Sequence, residues 1–141
     1  ASDTVTAEPI GSTIGRSLRR LESALEHNPA FGHATLRSVS DIRHGVQCTS
    51  IEGEHTFETD LPTALGGTAT APTPSALLRA ALGSCLAIGY MLHAAKLGVP
   101  IASLEVEIQA DYDDGALFGV STPLPASRWQ IGPNRLGAVA R

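Results

Sequence analysis

The chain has 141 residues, 43% hydrophobic and 17% charged, which suits one globular domain able to bury a core without disulfide staples. A net charge of −4 and an aromatic content of 4% argue against a nucleic-acid surface, which needs a basic footprint and stacking rings. Two cysteines are too few for a secreted disulfide framework and fit a reducing cytoplasm or a cycling redox pair. No basic stretch followed by an apolar one opens the sequence, so no signal peptide is expected.

Residues 1–14 are rich in Thr, Ser, Gly and Pro and are expected to form a flexible N-terminal segment. From about Gly15 to His27, Leu18, Leu21 and Leu25 fall on one helical face, with Ile14 just before them. Arg16, Arg19, Arg20, Glu22 and Glu26 occupy the rest. That apolar face has two destinations, the chain's own core or a partner subunit. Asn28, Pro29 and Gly32 close the helix, and three strands are predicted at 34–42, 46–51 and 55–60. Turns at Arg43, His44 and Gly45 and at Glu52, Gly53 and Glu54 make them an antiparallel meander. Residues 62–72 read as a long loop of small residues.

A helix is predicted from Pro74 to about Leu97, with Thr73 as N-cap, Pro74 at the first position and Gly98 and Pro100 as the stop. Leu78, Ala81, Leu82, Cys85, Gly89 and Leu92 share one face, and Leu77, Ala80, Ile88 and Ala95 widen it. So apolar a helix is expected to be buried on nearly all sides. Its charge-free run from Ala80 to Leu92 is about thirteen residues, short of the about 20 that span a bilayer, so it reads as a core helix. Gly83, Ser84, Ala87 and Gly89 are small enough for another element to approach closely. Leu104, Val106 and Ile108 then alternate with Glu105, Glu107 and Gln109 in one half-buried strand over 104–110, turned by Asp113, Asp114 and Gly115. Residues 15–119 form the expected domain. Pro123, Pro125 and Pro133 leave 120–141 as an irregular tail with Trp129 its large anchor.

Asp60-Leu61-Pro62, Leu65-Gly66-Gly67, Pro72-Thr73-Pro74-Ser75-Ala76-Leu77-Leu78 and Ala80-Ala81-Leu82-Gly83-Ser84-Cys85, followed by Gly98, occur in an order that resembles the OsmC/Ohr superfamily. These are osmotically inducible and organic-hydroperoxide-resistance proteins. The resemblance covers roughly residues 43–119. It implies an α+β fold in which an antiparallel β meander packs on a long buried central helix, two chains forming an intertwined homodimer. It also implies a cytoplasmic thiol peroxidase that reduces organic hydroperoxides through a helix cysteine, here Cys85. The partners expected are a second copy, a small hydroperoxide and a thiol reductant, with no nucleic acid and no membrane.

A peroxidatic cysteine attacks as thiolate, and an ordinary thiol with a pKa of about 8.5 is only a few per cent ionised at neutral pH. Cys85 sits about three turns into its helix, beyond the reach of the N-terminal dipole, and so needs a cation nearby. The resemblance implies an arginine at the end of the first hairpin, roughly twenty residues before the loop proline. Arg43 stands near that spacing from Pro62; Arg37 and Arg79 are the alternatives, and a solvated turn arginine is the plain reading of Arg43. Where the family has a glutamate, about ten residues before the cysteine, this chain has Ser75, with Glu58 or Asp60 as substitutes from the strand. The family's resolving cysteine in a C-terminal segment has no counterpart here, which leaves Cys48 as the internal candidate. It shares a face with Val46 and is expected either to point at the helix or to be an ordinary half-buried strand residue.

His27, His33, His44, His55 and His93 show no ligand spacing, so neither metal nor cofactor is expected. Gly66 and Gly67 lack the lysine of a phosphate loop and read as a turn. Two rival readings share the fold: a non-catalytic OsmC-like protein binding a small hydrophobic ligand at the dimer interface, and a remnant whose activity is lost.

Overall fold

A computed structural model describes residues 10–120, 129–131 and 135–138. The chain divides into two compact units, residues 34–82 and residues 1–33 with 83–141. The class is α+β, with an antiparallel three-stranded sheet and one long helix.

In the first unit β1 (Ser38–His44), β2 (Gln47–Glu52) and β3 (His55–Thr59) pair in sequence order, as the meander predicts. The first strand begins at Ser38 rather than at 34, because Ser38 pairs with Glu52, the last residue of β2, and nothing beyond it is available as a partner. Gly45 and Gly53 both have φ +57, a conformation that glycine adopts without penalty, and they turn the two hairpins. Ile42 pairs with Cys48 and His44 with Gln47, so Arg43 is the extra residue of a β-bulge. After β3 the chain folds into a closed loop, and α2 (Pro74–Leu97) follows. The Ala76 amide donates to Thr73 Oγ1 at 3.3 Å, which makes Thr73 the cap that the sequence predicts.

α2 runs from this unit into the other. Its buried residue is Ala94, whereas Leu78, Leu82, Ile88, Tyr90, Leu92 and Leu97 are exposed, so the expected burial on nearly all sides is not found. Among the described residues the strands form a three-stranded sheet and two two-stranded ladders. By length and composition alone α2 is also long and apolar enough to cross a membrane, a condition that core helices meet too.

In the second unit α1 (Ile10–His27) starts earlier than expected, so residues 10–14 are helical rather than flexible, while 1–9 lie outside the described residues. Gly15 lies where a side-chain carbon would stand 3.4 Å from the Ala95 carbonyl oxygen, and Lys96 pairs with Glu22 at 2.5 Å. α1 therefore meets the end of α2 in its own chain, although Leu21 stays 53% exposed. The strand predicted over 104–110 is two, β4 (Ile101–Glu105) and β5 (Ile108–Ala110). Ile101, Leu104, Val106, Ile108 and Ala110 are half-buried between exposed Glu105, Glu107 and Gln109, as the alternation predicts. Asp113 caps a one-turn helix, α3 (Asp114–Leu117), where a plain turn is expected. Instead of being irregular throughout, the tail contains β6 (Trp129–Ile131) and β7 (Arg135–Ala138), antiparallel to β5 and β4 respectively. Strands of three and four residues are too short for alternation to show. Pro123, Pro125 and Pro133 lie outside the described residues.

Candidate functional site

Within the first unit, the sheet and the start of α2 line an open cavity of about 600 Å³, within the size range of small-molecule sites. Cross-strand register explains the lining. Pairing of Ser40 with Ser50, Ile42 with Cys48, and Cys48 with Thr59 puts these five side chains on one face. All five line the cavity, opposite Pro74, Leu77, Leu78 and Ala81 of the helix, with Leu61 at the side. The Ser40 and Ser50 hydroxyls share one hydrogen bond of 2.7 Å. Cys48, a free thiol of intermediate exposure, is among the residues that line the cavity opposite the helix.

Arg43, next to this floor, is aimed by the bulge rather than by the regular pleat. Its Nε donates to Asp41 Oδ2 at 2.6 Å, with the arginine side chain 82% exposed. The carboxylate that orients Arg43 is therefore two residues away on the same strand, a partner the sequence reading missed. Ser75, in the place of the family's glutamate, lies 3.1 Å from the Thr73 hydroxyl in the first turn of α2.

Asp60, which with Glu58 is one of the two carboxylates near the end of β3, is engaged by its own loop. It is 1% exposed, and its two oxygens accept from five donors. Oδ1 takes the Leu61 amide at 2.8 Å; Oδ2 takes the amide and hydroxyl of Thr68, at 3.0 and 2.7 Å, and of Thr70, at 3.1 and 3.2 Å. The Thr68 hydroxyl, opposed by burial and reinforced by the three amides, holds the Asp60 carboxyl well below the usual carboxylate range. Asp60 is thus committed to the loop that follows it.

Cys85, in the second unit, is a free and exposed thiol on α2. By helical register it follows Leu78 and Ala81 on one stripe. His93 bonds the Gly89 carbonyl oxygen of its own helix at 2.8 Å. Among the described residues no group of three or more His, Cys, Asp or Glu side chains could hold a metal ion.

Residues 67–127 match the family model described as OsmC-like protein. The matched stretch contains Cys85 and Ser75; Arg43 and Cys48 precede it. No curated protein matches the chain.

Proposed function

From the OsmC-like match across α2 we propose that this chain is a thiol-dependent peroxidase that reduces organic hydroperoxides at Cys85 in defence against oxidative stress. The observation that carries the reading is the position of a free, exposed thiol inside the matched stretch. The Cys85 thiolate attacks the terminal oxygen of the hydroperoxide and the O–O bond breaks. The alkoxide leaves with the electron pair and is protonated to the alcohol, while the sulfur keeps the other oxygen as sulfenic acid. In the proposed second step the Cys48 thiolate attacks that sulfur, forming a disulfide and releasing water. An external dithiol then restores both thiols and is itself oxidised to a disulfide.

Arg43 is the proposed cation for the thiolate and for charge developing on the peroxide oxygens, a task suited to a planar fork of donors. With Nε held by Asp41, the remaining guanidinium nitrogens are the ones to do it. The working form is a cytoplasmic homodimer, and the second copy covers the exposed apolar side chains of α2. An interface of this obligate type buries more than about 2,000 Å².

The test is oxidation of each thiol by cumene hydroperoxide, followed by mass spectrometry. Cys85 is expected to oxidise at least tenfold faster than Cys48, and Cys85→Ser to abolish turnover with a dithiol. Equal, slow oxidation of the two thiols would remove the peroxidase reading.

A further inference from the structure

Asp60 is a buried acid that the proposed chemistry does not use, and its bonds hold the loop that borders the Cys48 cavity. Its backbone N–H donates to the Pro72 carbonyl oxygen at 3.1 Å, which brings together the ends of a thirteen-residue loop of the compact Ω type. Thr59, immediately before it, lines the cavity beside Cys48, and Leu61, immediately after it, forms the side wall. Pro72 leads through Thr73 into Pro74 and the helical wall.

A second layer ties this loop to β2. Gln47, next to Cys48, donates from its one amide nitrogen to the hydroxyls of Thr68, at 2.9 Å, and Thr70, at 3.0 Å. Each hydroxyl has one proton and gives it to Asp60 Oδ2, so each accepts from Gln47. The two hydroxyls lie 3.1 Å apart, but with both protons committed to the carboxylate they are neighbours rather than a bonded pair. Donors and acceptors balance only with a carboxylate at the centre. In Asp60→Asn the amide NH2 would face either the Leu61 amide or the four donors of Thr68 and Thr70, in either flip. The packing leaves no slack: a side-chain carbon on Gly67 would lie 1.9 Å from the Leu61 carbonyl oxygen and 2.8 Å from Asp60 Oδ1, and Ala69 is held at φ 55.

We propose that Asp60, acting through Thr68, Thr70 and Gln47, is a positioning residue that sets the walls around Cys48 and so controls access to that thiol. A role for Cys48 as resolving thiol rests on the peroxidase reading; the control of its access does not. When the clamp is broken the loop moves off, the side wall at Leu61 opens, and Cys48, already partly exposed, becomes more accessible without the sheet unfolding.

The test uses the full chain with Cys85→Ser, so that Cys48 is the thiol that reacts, and measures N-ethylmaleimide labelling by mass spectrometry at several low urea concentrations. Asp60→Asn, Thr68→Val and Gln47→Ala are compared with Thr68→Ser, which keeps the hydroxyl. The expected result is labelling at least about tenfold faster in Thr68→Val and Gln47→Ala, near-original labelling in Thr68→Ser, and rates that do not vary with urea, the mark of local opening. Should Asp60→Asn fail to fold, the threonine and glutamine variants decide the matter. Unchanged labelling in Thr68→Val and Gln47→Ala overturns the proposal. So does acceleration that rises with urea in step with global unfolding, because the clamp would then act on stability alone. In the chain with both cysteines, the Asp60 role predicts altered disulfide formation after peroxide with no change in sulfenic acid formation on Cys85. If no sulfenic acid forms at all, the peroxidase reading fails while the labelling result stands.

Discussion

Within residues 60–72 the charged and polar groups find their partners locally: a carboxylate, two hydroxyls and four backbone amides close on one another, with Gln47 as the tie to the sheet. Among the described residues no buried side-chain nitrogen or oxygen lacks a partner. The next element in sequence, α2, is the opposite case, with Leu78, Ile88, Tyr90 and Leu97 between 40% and 76% exposed. The contrast follows from the range of the two forces. Hydrogen bonds are directional and short, so thirteen residues can complete a set of them. Hydrophobic burial is proportional to area, and a 24-residue helix without a polar face needs cover along its whole length rather than a few local partners.

Four experiments break or sharpen this comparison. Gly67→Ala puts a carbon where the Leu61 carbonyl oxygen already stands, and it is expected to cost about 3 kcal/mol in urea unfolding, the upper end of overpacking effects. A cost below about 1 kcal/mol, the lower end of that range, would show the loop to be looser than its hydrogen bonds imply. On the helix, Ile88→Asp is expected to weaken association of the proposed homodimer about a hundredfold, roughly 2.7 kcal/mol, as read by sedimentation. On a helix face that stays in water the same change would fall within about 0.5 kcal/mol and leave association untouched.

Acid gives a third contrast. Because the Asp60 carboxyl is held below its ordinary value, its contribution is fully present above the unfolded value near 3.8 and is lost as the pH falls through the lower native value. The thermal midpoint of the native chain should therefore decline below about pH 4. In Asp60→Asn that part of the decline should vanish, and an identical slope would dissociate Asp60 from acid stability. The smallest effect is expected at the exposed Arg43 and Asp41 pair, whose double-mutant coupling should stay below about 1 kcal/mol. Any larger effect of Arg43→Ala on peroxide turnover would then belong to chemistry rather than to folding.

The parts of the fold legible in the sequence are those set by single residues or short periods. Thr73 and Pro74 mark the start of α2 and Gly98 its end, while Gly45 and Gly53 mark the hairpins, because each meets a local backbone requirement. The place of Cys85 on α2 is legible for the same reason. Its exposure is not, since that depends on what covers the helix. The Asp60 clamp escaped because Thr68, Ala69 and Thr70 after two glycines look like a flexible linker. The available signal was an acid followed eight and ten residues later by threonines, which acquires meaning only once Asp60 and Pro72 meet. The partner of Arg43 escaped because a bulge is a matter of register, to which composition is blind.

That bulge gives the hairpin one position where its length is negotiable. β1 carries one residue more than it has rungs, between the pairs Ile42 with Cys48 and His44 with Gln47. Deleting Arg43 would leave those two pairs adjacent in an ordinary ladder, every neighbour still on its original face. Deleting Ser40 would instead slide Ser38 and Val39 by one rung and exchange their faces, turning an apolar side chain inward and a hydroxyl outward or the reverse. Length variation in this strand is thus absorbed at the arginine and resisted elsewhere, so a shorter hairpin lacking Arg43 keeps the floor around Cys48.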